Sequence, residues 1–229
     1  MLRYPLGMKR QAGRPATPAS SGRPYHSPRR QEAATETRRR IRQAARQLFV
    51  AQGYAATSIR AVAERAGVAE KTVYLAFPSK PDLLNEVVEV AIAGDDQPIA
   101  VAERDWWQQM AAHPDPVGTL ERLTDGALAI HLRTADIFEM ARGAAAADTH
   151  AAELWRAGKR GHRTDCERLA DLLLGHPAIA SGLDRDGLVT ALFTLLGPET
   201  YRLVTVELGR TPDQYRAWLL DTLRRLTGT

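Results

Sequence analysis

Residues 57–77 read TSIRAVAERAGVAEKTVYLAF. Thr57 is a good N-cap for a short helix that buries Ile59, Val62 and Ala63 and ends before Gly67. A second short helix is expected over residues 69–77, where Pro78 ends it. Between them Gly67 supplies the positive φ that a tight turn requires. Val62, Ala63, Val68 and Val73 fall where the two helices must touch, and the small Ala63 lets the backbones approach. This is the spacing of a helix-turn-helix.

Working outward, Ile41, Ala44, Ala45, Leu48 and Phe49 follow the i, i+3, i+4, i+7, i+8 pattern of an amphipathic helix. Thr35 is placed to cap its start and Gly53 to stop it, while Arg38, Arg39, Arg40, Arg42 and Arg46 lie off the apolar stripe. On the other side, Ser79 caps a fourth helix, with Pro81 in its first turn and Asp82 placed for a capping-box contact. Leu83, Leu84, Val87, Val88 and Ala91 share one face of it. Helical periodicity continues to the C-terminus, with breaks at 94–97, 113–116, 175–177, 197–198 and 209–212. The last helix has a strong start, with Thr211 as cap, Pro212 first and Gln214 third. Tyr215, Trp218, Leu219, Thr222, Leu223 and Leu226 then form one stripe. The fold class is all-α.

Charge is unevenly divided. Residues 1–82 hold 16 Lys+Arg against 5 Asp+Glu, a net +11, and residues 83–229 carry −7. One end therefore suits a polyanion and the other does not. Residues 1–32 are rich in Pro, Gly, Ser and Arg, and bury too little to offset their ordering entropy, so a flexible basic arm is expected there. No apolar run of 18 residues exists, so no membrane helix and no membrane partner are expected. Pro and Ser follow the charged Met1–Arg10 stretch, which argues against a secretory signal. The single Cys166 cannot form an internal disulfide, in keeping with a cytoplasmic location.

The segment from Glu36 to Val88 resembles the DNA-binding domain of the tetracycline-repressor (TetR) family. The matching pieces are Leu48, Phe49, Gly53 and Tyr54, then ThrSerIle at 57–59 and AlaGluArgAlaGlyVal at 63–68. LysThrValTyr at 71–74, Phe77 and SerLysProAspLeuLeu at 79–84 follow in order. The resemblance implies a helix-turn-helix domain over residues 33–82 and a helical ligand-binding and dimerisation domain over 83–229. It implies double-stranded DNA as partner, a homodimer, a small-molecule effector, no cofactor and no enzymatic activity. The third helix would enter the major groove and present Ala69, Glu70, Lys71, Thr72 and Tyr74. Lys71 can reach guanine acceptors or phosphate, Thr72 a phosphate or a thymine methyl, and Tyr74 a backbone oxygen. Thr57, Ser58 and Lys80 match phosphate-contacting positions, and Arg60 is a further candidate. Two departures stand out: Ala69 lacks the hydroxyl common at its position, and Glu70 is acidic where the groove is negative. Bland readings stand beside these, with Thr57 only a cap, Tyr74 a packing residue and Arg60 a solvated charge.

In the arm, Gly13-Arg14-Pro15 and Gly22-Arg23-Pro24 resemble the core of an AT-hook, although Ala12 and Ser21 stand where that pattern has a further Arg. For the C-terminal half, Trp106, Trp107, Met110, His131, Phe138, Met140, Trp155 and Phe193 are candidate pocket residues, with core packing as the alternative. Leu188, Leu192, Leu195, Leu196, Leu203, Val204, Trp218 and Leu219 are candidates for a dimer face, with packing inside one subunit as the alternative. His162 and Cys166 lie four apart and could form half a metal site or a thiol–base pair, but no third or fourth ligand is evident. A redox-responsive regulator and a ligand-independent architectural DNA binder remain as other classes.

Overall fold

The computed structural model describes residues 28–97, 99–179 and 181–229. Among them are ten α-helices and no strand. The helices are α1 (Pro28–Ala56), α2 (Ile59–Ala66), α3 (Glu70–Ala76), α4 (Lys80–Ala93) and α5 (Asp105–Ala111). Then come α6 (Pro116–Ala147), α7 (Thr149–Leu174), α8 (Arg185–Leu195), α9 (Pro198–Arg202) and α10 (Pro212–Thr227). A π-helical turn at Leu203–Glu207 continues α9.

Two cores hold the chain together. The first is built from Ile41, Ala45 and Phe49 of α1, Ile59 and Val62 of α2, Val73 of α3, and Leu83, Leu84 and Val87 of α4. It does not close at the end of α4. Ile137, Ala141 and Ala144 of α6 and Ala151 of α7 belong to the same cluster, so the long helices of the C-terminal half are packed directly onto the N-terminal helices. The second core joins α5, α6, α7, α8 and α10 around Met110, Leu120, Cys166, Leu173, Leu192, Tyr215 and Leu219.

Local chemistry explains most element ends. Gly67 is left-handed (φ 65°) and closes α2. Ser79 accepts from the Asp82 amide at 3.2 Å, and its hydroxyl donates to Asp82 Oδ2 at 2.6 Å. Thr211 and Gln214 form the reciprocal capping box at the start of α10. One expectation is corrected. Thr35 lies inside α1, which starts at Pro28, so it caps nothing. Gly53 (φ 84°, ψ 163°) interrupts the helix where expected, and a further helical turn follows the kink to Ala56. A boundary at Asp148 was not anticipated, yet its carboxylate accepts from the Ala151 amide at 2.9 Å and starts α7. The two GlyArgPro cores and most of the basic arm lie outside the described residues.

Candidate nucleic-acid interface and ligand cavity

The turn from α2 to α3 leaves one side of α3 open. Val73 is buried against α1 and α2 and anchors it. Glu70, Lys71 and Tyr74 are exposed together with Ala69, and Thr72 is half-buried. Ala69 makes no side-chain cap, so α3 starts on the Ala69 carbonyl alone, which accepts from the Thr72 amide at 2.8 Å. Leu75 is also on this surface at 78% exposure and was missed. Its spacing of four from Lys71 puts both on one helix face, a relation the sequence already contained.

Thr57 is placed differently from expectation. Its side chain is 1% exposed, and its hydroxyl donates to the Gly53 carbonyl at 2.8 Å. It locks the α1–α2 joint and cannot offer that hydroxyl to a phosphate. Ser58 is the cap of α2, accepting from the Ala61 amide at 3.1 Å, and it stays exposed. Arg60 is exposed and pairs with Glu64 at 2.9 Å one turn on, an arrangement that water and counter-ions loosen easily. Lys80 is half-buried with its Nζ 4.2 Å from the centre of the Tyr54 ring, and burial lowers its pKa. Burial, followed by the neighbouring Asp148 carboxylate, pushes the Tyr54 phenol up to about 12.

Not all of the N-terminal charge faces outward. Arg38 binds both carboxylate oxygens of Glu86 at 2.9 and 2.7 Å, donates to the Ala76 carbonyl, and lies 4.2 Å over the Phe77 ring. Arg42 reaches Glu86 and Asp96, and Arg46 reaches Asp136 and the Arg133 carbonyl. These three arginines fasten α1 to α3, α4 and α6. The +11 balance of residues 1–82 therefore overstates the charge available to a polyanion.

A cavity of about 140 Å³ lies between α6, α7, α9 and the π-turn. His131, Phe138, Trp155 and Tyr201 form its aromatic walls, and Glu139, Arg142, Glu199 and Arg202 its charged rim. Phe138 meets Trp155 edge-on at 6.0 Å, and His131 stacks on Tyr201 at 4.7 Å. The rim is internally neutralised: Glu139 pairs with Arg142 and Arg202, and Glu199 with Lys159. His131 is 3% exposed, and burial lowers its pKa to about 4, leaving it neutral near pH 7. Its Nδ1 has no hydrogen-bond partner. Such an orphaned buried atom costs about 1–3 kcal/mol.

Of the expected pocket residues, His131, Phe138 and Trp155 are brought together here. Trp107 and Met110 are instead buried in the second core, because α5 packs across α6. Trp106 lies over Gly126, where an added Cβ would sit 2.5 Å from its ring. Phe193 stacks on His162 at 4.8 Å rather than lining the cavity. Met140 packs against the first core. The candidates for a dimer face divide similarly. Leu188, Leu192 and Leu219 are fully buried and Val204 is largely buried, so they serve this chain's own core. Leu195 and Leu196 are half-buried against it. Leu203 and Trp218 are exposed, together with Val206 and Leu208. Cys166 is fully buried and burial raises its pKa to about 12, a poor setting for a reactive thiol. Among the described residues, no three His, Cys, Asp or Glu side chains are grouped to hold a metal. No helix there is long and apolar enough to cross a membrane.

A helix-turn-helix head is thus joined through a shared core to a helical body with an internal cavity. Residues 41–87 match the family described as bacterial regulatory proteins, tetR family. Over those residues the chain is similar to that family. Its fold is similar to that of NalD, the secondary repressor of the MexAB-OprM multidrug efflux pump in Pseudomonas aeruginosa. That match has 20% identity and TM-score 0.62, over 85% of this chain and 96% of that one. A TetR transcription regulator from Haloarcula marismortui is similar at 15% identity and TM-score 0.61, over 85% and 97%. A candidate transcriptional regulator from Saccharomonospora viridis in complex with choline is similar at 22% identity and TM-score 0.61, over 83% and 96%. No curated protein sequence matches the chain at a significant level.

Proposed function

We propose that the protein is an effector-responsive transcriptional repressor that binds a pseudo-palindromic operator as a homodimer. The observation that carries this reading is the exposed face of α3, with Glu70, Lys71, Tyr74 and Leu75 open to solvent beside the Ser58-capped start of α2. In this reading Lys71 and Tyr74 contact phosphate or base edges, Thr72 a phosphate or thymine methyl, and Leu75 a thymine methyl. Glu70 accepts from a cytosine amine, trading affinity for specificity. Ser58 and the first amides of α2 hold a phosphate, and Arg60 exchanges Glu64 for DNA. Lys80 acts mainly through its packing on Tyr54.

A single recognition helix covers too few base pairs, which favours two heads one helical turn apart. The exposed Leu203, Val206, Leu208 and Trp218 supply an apolar surface for the second subunit. The effector site is the cavity beside His131, and one relative of the same fold was solved with a small molecule, choline. The reading places the protein in the cytoplasm with its DNA and gives it no catalytic role. Footprinting on DNA flanking its own gene tests it: protection of a two-fold symmetric site, lost in Lys71→Ala and Tyr74→Ala variants that remain folded, is the expected result. Unchanged protection in both variants would overturn the docking of α3.

A further inference from the structure

The helix that carries Lys71 and Tyr74 has few supports of its own. α3 is seven residues long, too short to be stable alone in water. Its start has no side-chain cap, and Val73 is its buried side chain, with Phe77 buried just past its end. A short helix held along one such line can still pivot and fray. Side chains that read base edges need placement to within about 0.5 Å.

A further support comes from α1. Arg38 Nη1 donates to the Ala76 carbonyl at 2.6 Å. Ala76 is the last residue of α3, so that carbonyl has no partner inside the helix and lies at the negative end of its dipole. A charged donor closes it more strongly than a neutral one would. The donor is itself held in place. Arg38 Nε and Nη2 fork onto the two oxygens of Glu86, in α4, at 2.9 and 2.7 Å, and the guanidinium lies 4.2 Å over the Phe77 ring. Only 14% of the Glu86 side chain is exposed. A planar fork fixes the guanidinium in orientation as well as position, which an ammonium group does not achieve. Arg42 reaches the same Glu86 at 3.4 Å, but its second partner is Asp96 rather than α3.

We infer that Arg38 is a positioning residue for sequence reading: clamped by Glu86, it sets the pose of α3 in the groove without touching DNA. The inference deepens the function proposed above and rests on the docking of α3.

The test titrates the full-length protein, by fluorescence anisotropy, with two duplexes: the site it selects from a random pool and a scrambled duplex of the same composition. The ratio of the two affinities does not depend on how much of a variant is folded. Arg38→Gln should lower that ratio about tenfold, the effect of one mismatched base pair, with affinity for the scrambled duplex unchanged. Arg42→Gln also loses a Glu86 contact but none with α3, and should leave the ratio as it is. Arg38→Gln combined with Glu86→Gln should be no worse than Arg38→Gln alone, because the pair acts as one unit. Amide hydrogen exchange gives a readout without DNA: residues 72–77 should exchange faster in Arg38→Gln and not in Arg42→Gln. An unchanged ratio in Arg38→Gln, an equal loss in Arg42→Gln, or additive losses in the double variant would each overturn the inference. A salt dependence reduced by about one counter-ion in Arg38→Gln would make Arg38 a phosphate contact and overturn it as well. Equal binding of both duplexes by the wild-type protein would instead contradict the docking of α3 itself, and this inference with it.

Discussion

Arg133, in the middle of α6, donates from Nε to the Ala91 carbonyl at the end of α4 at 2.9 Å, and from Nη2 to the next carbonyl, Ile92, at the same distance. The last carbonyls of a helix lack partners and carry partial negative charge, so a guanidinium is well suited to close them. Arg133 is two residues from His131 on the same rigid helix. At the other end of α4, Asp82 accepts from His150 of α7 at 2.9 Å. Helices bordering the cavity therefore grip both ends of α4, which is packed onto the helix-turn-helix head.

Arg133→Ala should cost about 1–2 kcal/mol in urea unfolding, from two carbonyls left without their charged donor. It should also weaken the effector's influence on DNA affinity more than the affinity itself. Operator binding measured with and without effector separates the two. An unchanged effector response would show that α4 is not moved through this contact.

The two hydroxyls at the start of α2 should behave differently. Thr57→Val should lower stability by about 1–2 kcal/mol, since Gly53 loses its partner, while scarcely affecting DNA binding in the folded fraction. Ser58→Ala should lose about 1 kcal/mol of capping and weaken DNA binding as well. Lys71→Ala should reduce the salt dependence of binding by about one counter-ion. Anisotropy titrations over a range of salt check all three.

Stability should depend on pH through opposed histidines. Burial holds His131 and His162 down to about 4, below the ordinary 6.5, so both are neutral when folded. Their contribution is complete above pH 6.5 and is lost as pH falls through 4. His150 is shifted the other way by its bond to Asp82, so its contribution is complete below 6.5 and is lost as pH rises through its raised value. Thermal melts from pH 4 to 8 should show a shallower acid-side loss for His131→Phe. The fall on the neutral side should be absent in Asp82→Asn.

Leu203→Glu and Trp218→Glu should shift the protein toward monomer in sedimentation without large loss of monomer stability, because both side chains are exposed. Leu192→Ala should instead cost about 2–5 kcal/mol, the price of a core cavity.

Strong local patterns were legible in the sequence, and long-range packing was not. The turn at Gly67, the Ser79 start of α4 and the Thr211–Gln214 capping box follow from residues within a few positions of one another. Leu192 and Leu203 look alike in a periodic pattern, and only the three-dimensional packing places one in the core and the other on the surface. The same holds for Trp107 and Trp155, both aromatic and helical, of which only the second meets the cavity. Thr57 and Ser58 are adjacent hydroxyls, and the kink at Gly53 decides which faces inward. The sequence places Arg38 only off the apolar stripe of its helix, because its partner Glu86 lies 48 residues away.

The most direct test of the central claim is selection of bound duplexes from a random-sequence DNA pool by the purified protein. Enrichment of one pseudo-palindromic site, abolished by Lys71→Ala combined with Tyr74→Ala in a protein that still melts cooperatively, is the predicted result. Retention of the whole pool without sequence preference, or the same site recovered by the double variant, would contradict it.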